Sequence, residues 1–111
     1  MNIRYQTRRM ENSVASLSAI RKHYGDRAKK LSQRLDDLAS VVNLEAMRSF
    51  SSAHCHELTG NRQGKLAIDL TLNHRIIFLP DHDPVPRKMD GGLDWIMITS
   101  IVIVAIGEDY D

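Results

Sequence analysis

Four polar side chains lie in or next to the predicted strands, where they could carry out chemistry: His56, Arg75, Asp109 and Tyr110. Arg75 opens an apolar run that continues to Leu79, so its side chain must point towards something polar, and a guanidinium fork matches phosphate oxygens. An imidazole acts as an acid or a base near neutral pH. RNA cleavage by the 2′-hydroxyl group requires a base, an acid and a cation, but no metal. The four residues therefore form a candidate catalytic set for such a reaction.

Each of these residues also has a structural interpretation. Arg75 could pair with Asp69 or Asp109 as a structural ion pair. His56 could be an exposed loop histidine, and Asp109 could orient His56 or Arg75 rather than act as a base. Tyr110 could stack on a base of RNA, or it could pack on the protein. The residue types alone leave these alternatives open.

Five basic residues are candidates for binding the phosphates of RNA. Arg62 and Lys65 lie in a polar loop, and Arg27, Lys30 and Arg34 are spaced three and four apart, which predicts a basic stripe on the exposed side of a helix. Residues 1–50 contain ten Lys/Arg and five Asp/Glu, whereas the remainder is acidic. A basic half is typical of a polyanion-binding surface, although solvated helix faces have the same composition.

The segment His54-Cys55-His56 raises the question of a metal site. In an extended segment the two histidines share one side while Cys55 points away. No second Cys/His pair follows at zinc-like spacing, because His74 and His82 are isolated. We therefore predict no metal and no other cofactor, and we expect Cys55 to be a small buried hydrophobic residue.

The composition indicates one globular domain over residues 1–111, since 42% of the 111 residues are hydrophobic. The single cysteine excludes a disulfide within the chain and favours a reducing cytoplasm. The first residues lack a signal-peptide pattern. The longest apolar run, Trp95 to Ile106, is too short to span a bilayer and predicts a core strand instead.

The first half of the sequence predicts a strand and two helices. Residues 2–6 form the strand, and residues 8–24 carry apolar side chains at the spacing of one continuous helix. Gly25 should end this helix. Asp26 should cap a second helix, whose apolar stripe extends to Val42. The short link between the helices predicts an antiparallel hairpin.

The second half predicts strands. Alternation of apolar and polar residues runs from Leu66 to Leu70, and a second strand runs from Arg75 to Leu79. Residues 81–94 contain prolines and paired glycines and should form a loop. The order of elements predicts an α+β fold, in which an N-terminal strand and a two-helix hairpin pack on a small antiparallel sheet.

Four segments in this order resemble one toxin family. They are Leu58-Thr59-Gly60-Asn61-Arg62-Gln63-Gly64-Lys65-Leu66-Ala67-Ile68, the strand Asn73-His74-Arg75-Ile76-Ile77-Phe78, the pair Asp94-Trp95 and the tail Glu108-Asp109-Tyr110. Together they look like the HigB branch of the RelE/ParE toxin superfamily. The resemblance covers nearly the whole chain and implies a RelE-like fold.

The resemblance also implies a function. Such toxins enter the ribosomal A site and cut the mRNA codon there, and His56, Arg75, Asp109 and Tyr110 match the positions of the family motifs. A HigA-like helix-turn-helix antitoxin blocks the toxin, and the pair binds operator DNA through the antitoxin. The resemblance thus implies a cytoplasmic endoribonuclease whose partners are an antitoxin, the ribosome and mRNA.

Two residues depart from the family pattern. Thr59 stands where the motif usually has a lysine, and Asp111 stands where the tail usually ends in a histidine. We therefore expect cleavage weaker than is typical of the family, or a different acid. Two alternatives remain: a catalytically silent antitoxin-binding partner, and a gyrase inhibitor of the ParE kind.

Overall fold

The structure, a computed structural model, describes residues 1–109, with side chains to residue 107, and contains five strands and three α-helices in that range. The strands are β1 (Asn2–Tyr5), β2 (His56–Glu57), β3 (Leu66–Asp69), β4 (His74–Pro80) and β5 (Ser100–Asp109). The α-helices are α1 (Arg8–Ser13), α2 (Leu17–Tyr24) and α3 (Ala28–Ser40). Short 3₁₀ helices cover Gly25–Arg27, Leu44–Ser49, Ser51–Ala53, Gly60–Arg62 and Trp95–Met97.

The strands form one sheet in the order β1-β5-β4-β3-β2. Strands β2 to β5 pair in antiparallel fashion, whereas β1 lies parallel to β5, with Asn2 beside Ser100 and Tyr5 beside Ile103. The predicted α+β class is confirmed. The predicted antiparallel sheet is formed by β2 to β5. The direction of β1 was not predicted, because the path of the chain through the helices, which the local sequence does not reveal, decides it.

The helical region differs from the prediction at its first helix. The chain breaks after Ser13, and Ser16 caps a separate helix by accepting a hydrogen bond from the amide of Ala19 at 3.1 Å. Ser13 uses its hydroxyl to bond the carbonyl of Met10 and the hydroxyl of Tyr24. A serine that satisfies an orphan amide competes well with helix continuation.

The link between α2 and α3 confirms one prediction and corrects two. Gly25 ends α2 with a positive φ of 56°. Asp26 does not cap α3, because it lies within the 3₁₀ turn Gly25–Arg27 that leads directly into the helix. Val42 lies beyond the end of α3 and is 76% exposed, so the apolar stripe is shorter than predicted.

The main core lies between the helices and one face of the sheet. Leu31 and Leu38 of α3 pack there with Phe78 of β4 and Ile101 and Ile103 of β5, all fully buried. The amino group of Met1 donates hydrogen bonds to the carbonyls of Leu38 and Ala39, each at 3.1 Å. These bonds satisfy carbonyls at the end of α3 and attach the helix to β1.

Two β-bulges interrupt the pairing of β4 with β5. At one of them Gly107 is the extra residue, because Arg75 pairs with Glu108 while Ile76 pairs with Ile106. Gly107 has a φ of 78°, a conformation that favours glycine. This bulge changes the direction of the strand next to Arg75.

The predicted strand over residues 95–106 is wrong in its first part. Trp95–Met97 form a 3₁₀ turn, and the strand begins at Ser100. Residues 81–94 form a loop, as predicted, apart from one bridge between Arg87 and Leu93. None of the described helices is long and apolar enough to cross a membrane.

Candidate functional site on the outer face of the sheet

The outer face of the sheet is the face that the helices leave uncovered. Side chains alternate along β4, so that Ile76 and Phe78 enter the main core while Ile77 points outwards. Ile77 packs there against Ala67 and Leu58. These three small or medium apolar residues form the floor of the outer face.

Arg75 lies on the outer face, two residues before Ile77, and is only 8% exposed. Its partner across the pair β3–β4 is Asp69, and directly opposed residues point to the same side of a sheet. Arg75 makes further interactions, although its buried Nε has no hydrogen-bond partner among the described residues. The structural interpretation in which Asp69 neighbours Arg75 therefore agrees with the register.

His56 shares this face because β2 places it opposite Ala67. Its Nδ1 lies 2.7 Å from the carbonyl oxygen of His54. A carbonyl can only accept, so Nδ1 must carry the proton and Nε2 of the neutral ring has the lone pair. The backbone thus selects the tautomer that can act as a base through Nε2.

His54 stacks on His56, with 4.3 Å between the ring centroids. Its backbone is left-handed, with a φ of 47°, which is uncommon outside glycine. Nδ1 of His54 lies 3.6 Å from Oδ2 of Asp69, close enough for charge attraction but too far for a hydrogen bond. These contacts form a row across three strands, in the order His56, His54, Asp69 and Arg75. We name these four residues the polar row.

The polar row contains the groups that phosphoryl chemistry requires. Two imidazoles can transfer protons, and a guanidinium can stabilise the charge that develops on a phosphate. The segments that carry His56, Asp69 and Arg75 are neighbouring strands, spaced by about 5 Å. The residues with described side chains include no group of three His, Cys, Asp or Glu that could hold a metal ion.

Arg34 corrects the predicted basic stripe. It is buried, with 3% of its surface exposed, and it does not lie on a solvated side of α3. Its Nε donates to the backbone carbonyl of Asp69 at 2.9 Å, and its two terminal nitrogens bond Asp37 and Ser52, each at 3.2 Å. Ser52 lies shortly before His54, so Arg34 joins the two segments that carry His54 and Asp69. The bond to Arg34 also explains why Asp37 is tolerated near the C-terminal end of α3, where the helix dipole disfavours a negative charge.

Lys30 lies on the same side of α3 as Arg34, and Arg27 continues this side from the 3₁₀ turn directly before the helix. The guanidinium of Arg27 lies against Gly107 of β5, since a Cβ at Gly107 would be 2.8 Å from Nη1 of Arg27. Lys30 is half-buried between its two neighbours. This side of α3 therefore extends across the end of the sheet, from β5 to β3. The binding of RNA by Arg27 and Lys30 stays a prediction.

The loop with Arg62 and Lys65 closes before β3. The amide of Lys65 bonds the carbonyl of Arg62 at 3.1 Å, and the carbonyl of Lys65 accepts from the amide of Leu58 at 2.9 Å. Both basic side chains are half-buried, and Arg62 has interactions with other groups. Thr59 is exposed at the start of this loop. The loop borders the outer face, where Leu58 contributes to the apolar floor.

The predicted tail residues lie at the edge of what the structure describes. The backbone register places Asp109 opposite His74 of β4. Tyr110 and Asp111 lie outside the described residues. The roles predicted for the tail therefore remain predictions.

Strand β2 has only two residues, and a second cluster anchors it. Glu57 accepts a hydrogen bond from Nε1 of the buried Trp95 at 3.1 Å, and the guanidinium of Arg48 lies 3.9 Å from the centre of the indole. Burial raises the pKa of the neighbouring Cys55 thiol to about 12, so this thiol remains protonated and is a poor nucleophile. The anchor fixes the strand that carries His56.

Our sequence reasoning missed His54 and Gly107 as site residues and considered Asp69 only as a structural partner. The shared side of His54 and His56 was visible in the sequence, but we considered the pair only as metal ligands. Asp69 and Arg75 become neighbours through the strand register, which requires the turn between β3 and β4. Gly107 gave no local signal beyond being a glycine within an apolar run.

Comparison with known proteins identifies the fold. No protein-family model and no curated protein matches the sequence. A YoeB/ParE toxin from Agrobacterium tumefaciens superposes with a TM-score of 0.52 at 9% identity, covering 99% of this chain and 100% of that one.

Two structures from Staphylococcus aureus are similar to the chain as well. A YoeB–YefM complex has a TM-score of 0.52 at 13% identity, and a YoeB dimer has a TM-score of 0.50 at 12% identity. Each match covers 99% of this chain and 98% of the other. The predicted RelE-like architecture is thereby supported, whereas the HigB branch is not distinguished. The chain has the fold of the YoeB/ParE toxins.

Proposed function

We propose that this chain is the toxin of a type II toxin–antitoxin system and cuts mRNA on the ribosome. The observation that carries this proposal is the polar row, in which a base-competent His56 and a nearly buried Arg75 share the uncovered face of a toxin fold. An inhibitor that acts only by binding would not require a fixed imidazole tautomer. The row therefore favours an endoribonuclease over a gyrase inhibitor.

The proposed reaction needs no metal. Nε2 of His56 removes the proton of the 2′-hydroxyl group, whose oxygen attacks the adjacent phosphorus. Arg75 stabilises the charged phosphorane. The bond to the 5′-oxygen then breaks, this oxygen receives a proton, and the products are a 2′,3′-cyclic phosphate and a 5′-hydroxyl group. Asp109 and Tyr110 are proposed to contact the RNA beside this centre.

The basic residues around the site are proposed to bind the RNA backbone. Arg62 and Lys65 lie in the loop that borders the outer face. Arg27 lies against Gly107 near the end of β5, and Lys30 follows it one helical turn later. Arg34 is not part of this proposal because its guanidinium is buried in contacts within the protein.

We also propose that a cognate antitoxin, of the HigA-like helix-turn-helix type, binds this chain and carries the pair to operator DNA. The support is the similarity to a YoeB solved in complex with YefM. A helix-turn-helix protein encoded beside this chain that copurified with it and stopped cleavage would agree with the proposal.

Primer extension on a defined mRNA in a cell-free translation system tests the function. Wild-type protein should cut within codons only when ribosomes are present, and Arg75→Ala should slow cutting by about 100-fold or more because the phosphorane loses its cation. Arg4→Ala is the matched control, since Arg4 is an exposed arginine on the opposite edge strand. It should cut like wild type.

The other outcomes select among the alternatives. Intact mRNA together with broken DNA in a gyrase assay would point to a ParE-type inhibitor. Intact mRNA, normal translation and intact DNA would point to a silent antitoxin-binding partner, which the departures at Thr59 and Asp111 would explain.

A further inference from the structure

RNA cleavage through the 2′-hydroxyl group involves two proton transfers at two different oxygens. A base takes the proton of the 2′-hydroxyl group, and an acid must supply one to the leaving 5′-oxygen. His56 in the tautomer fixed by the His54 carbonyl offers a lone pair and accounts for the first transfer. The second transfer requires another group close to the same phosphate.

His54 is placed to be that group. It stacks on His56 at 4.3 Å between ring centroids, and its side chain is 65% exposed, so a substrate can reach it. In an in-line reaction the attacking and leaving oxygens lie on opposite sides of phosphorus, about two P–O bond lengths apart. Two stacked rings can therefore each reach one of these oxygens.

The surroundings of His54 favour an acid rather than a second base. Oδ2 of Asp69 lies 3.6 Å from its Nδ1, and a carboxylate at this distance attracts an imidazolium. The neighbouring ring, His56, must be neutral to act as the base, so the stack holds one positive charge rather than two. The backbone of His54 is left-handed, and Arg34 fixes the segments on both sides through Ser52 and Asp69.

We infer that His54, oriented by Asp69, is the general acid of this site, an inference that rests on the proposed endoribonuclease function. His56 takes the proton from the 2′-oxygen, and protonated His54 gives its Nε2 proton to the 5′-oxygen as the P–O bond breaks. After cleavage His56 carries one more proton than at the start and His54 carries one fewer. Proton exchange with water then restores both rings. Asp69 is a positioning residue in this scheme.

The decisive experiment compares two leaving groups. One mRNA has the natural linkage at the cut site, and a second has sulfur in place of the bridging 5′-oxygen. A thiolate leaves without a proton, so the sulfur substrate does not need a general acid. His54→Asn is the variant of choice, since asparagine tolerates the left-handed backbone that position 54 requires.

On the natural linkage, His54→Asn should be about 100-fold slower than wild type. On the sulfur linkage, it should cut at nearly the wild-type rate. His56→Ala should be slow on both linkages, because a base is needed in either case. His23→Asn, at an exposed histidine on α2, should match wild type, and the fluorescence of Trp95 verifies that each variant is folded.

The outcomes separate this inference from the function on which it rests. If His54→Asn cuts the natural linkage like wild type, or is slow on both linkages, His54 is not the acid although the chain remains a nuclease. If wild-type protein cuts neither RNA, the proposed function itself is wrong.

Discussion

The two sides of the sheet each hold a nearly buried arginine beside Asp69, and the two arginines have different surroundings. Arg34, on the helix-covered side, donates to the Asp69 carbonyl, Asp37 and Ser52. Arg75 lies across from Asp69 in the strand register, on the outer face that also carries the exposed His54 and the half-buried His56. All three guanidinium nitrogens of Arg34 bond to protein groups, whereas Arg75 lies on the face that the helices leave uncovered and is 8% exposed. Burial of an arginine therefore does not identify its role, and the groups around it do.

The largest expected effect concerns this contrast. Arg34→Ala leaves Asp37 without its buried cation and should lower the free energy of unfolding by about 3 kcal/mol. For a domain of this size that corresponds to a fall in Tm of more than about 10 °C. Arg75→Ala should lower Tm less while it removes cleavage, because the side chain of its neighbour Asp69 is 32% exposed and is better solvated by water than that of Asp37, at 14%. Thermal unfolding followed by the fluorescence of Trp95, the single tryptophan, measures both.

Equal losses of Tm in Arg34→Ala and Arg75→Ala would contradict the difference between the surroundings of the two arginines. Arg34→Met is a useful companion, because it retains most of the buried volume without the charge. A stability close to that of Arg34→Ala would attribute the loss to the guanidinium and not to an empty space.

A smaller effect is expected at Gly107 of β5, which lies beside the guanidinium of Arg27. Gly107→Ala places a side chain at positive φ, which should cost about 1 kcal/mol of folding stability. Its Cβ would lie 2.8 Å from Nη1 of Arg27, and this end of a flexible side chain can move away at little further cost. Gly91 also has a positive φ, of 89°, but no atom lies near its Cβ direction. Gly91→Ala should therefore show the conformational cost alone, about 1 kcal/mol. Similar denaturant midpoints are therefore expected for the two variants, and a clearly larger loss in Gly107→Ala would mean that the guanidinium of Arg27 is held in place at the bulge.

The smallest effect is expected for an exposed arginine. Arg4 on β1 forms two hydrogen bonds with Asp81, at 2.8 and 3.1 Å, and the pKa of Asp81 is lowered by this bonding. A carboxyl group with a lowered pKa stabilises the fold above its unfolded pKa of about 3.9 and loses this contribution as pH falls through the folded value.

The Tm difference between wild type and Arg4→Ala should therefore be small at pH 7 and vanish near pH 2. The side chain of Arg4 is 66% exposed and that of Asp81 is 32% exposed, so the pair is screened by water. A difference that increased on acidification would show that Asp81 does not supply the pairing charge.

Several features of the fold could be predicted because they depend on neighbours in the sequence. The alternation through Leu66 and Ile68 predicts β3, and Gly25 ends α2 as expected. The break at Ser16 was missed because the apolar spacing continues across it, while the serine caps a new helix. Helical periodicity alone cannot report such a competition between a cap and the next turn.

The candidate site was predicted in its components and not in its connections. Arg75 was recognised because an arginine at the start of an apolar strand is costly without a polar neighbour, and His56 was recognised through its motif. Arg34 was misplaced because helical spacing shows which residues share a side of α3 but not what this side meets. Its partners Asp69 and Ser52 are distant in sequence.

The sequence by itself determined the α+β class, the helix hairpin and the outward arginine, since local propensity and periodicity fix each of these. The tertiary structure decided the parallel pairing of β1 with β5, the burial of Arg34 and the row that joins His56 to Arg75. These features depend on the register of strands and the crossing of a helix over a sheet. Contacts of that kind form between residues far apart in the chain, so no local pattern records them.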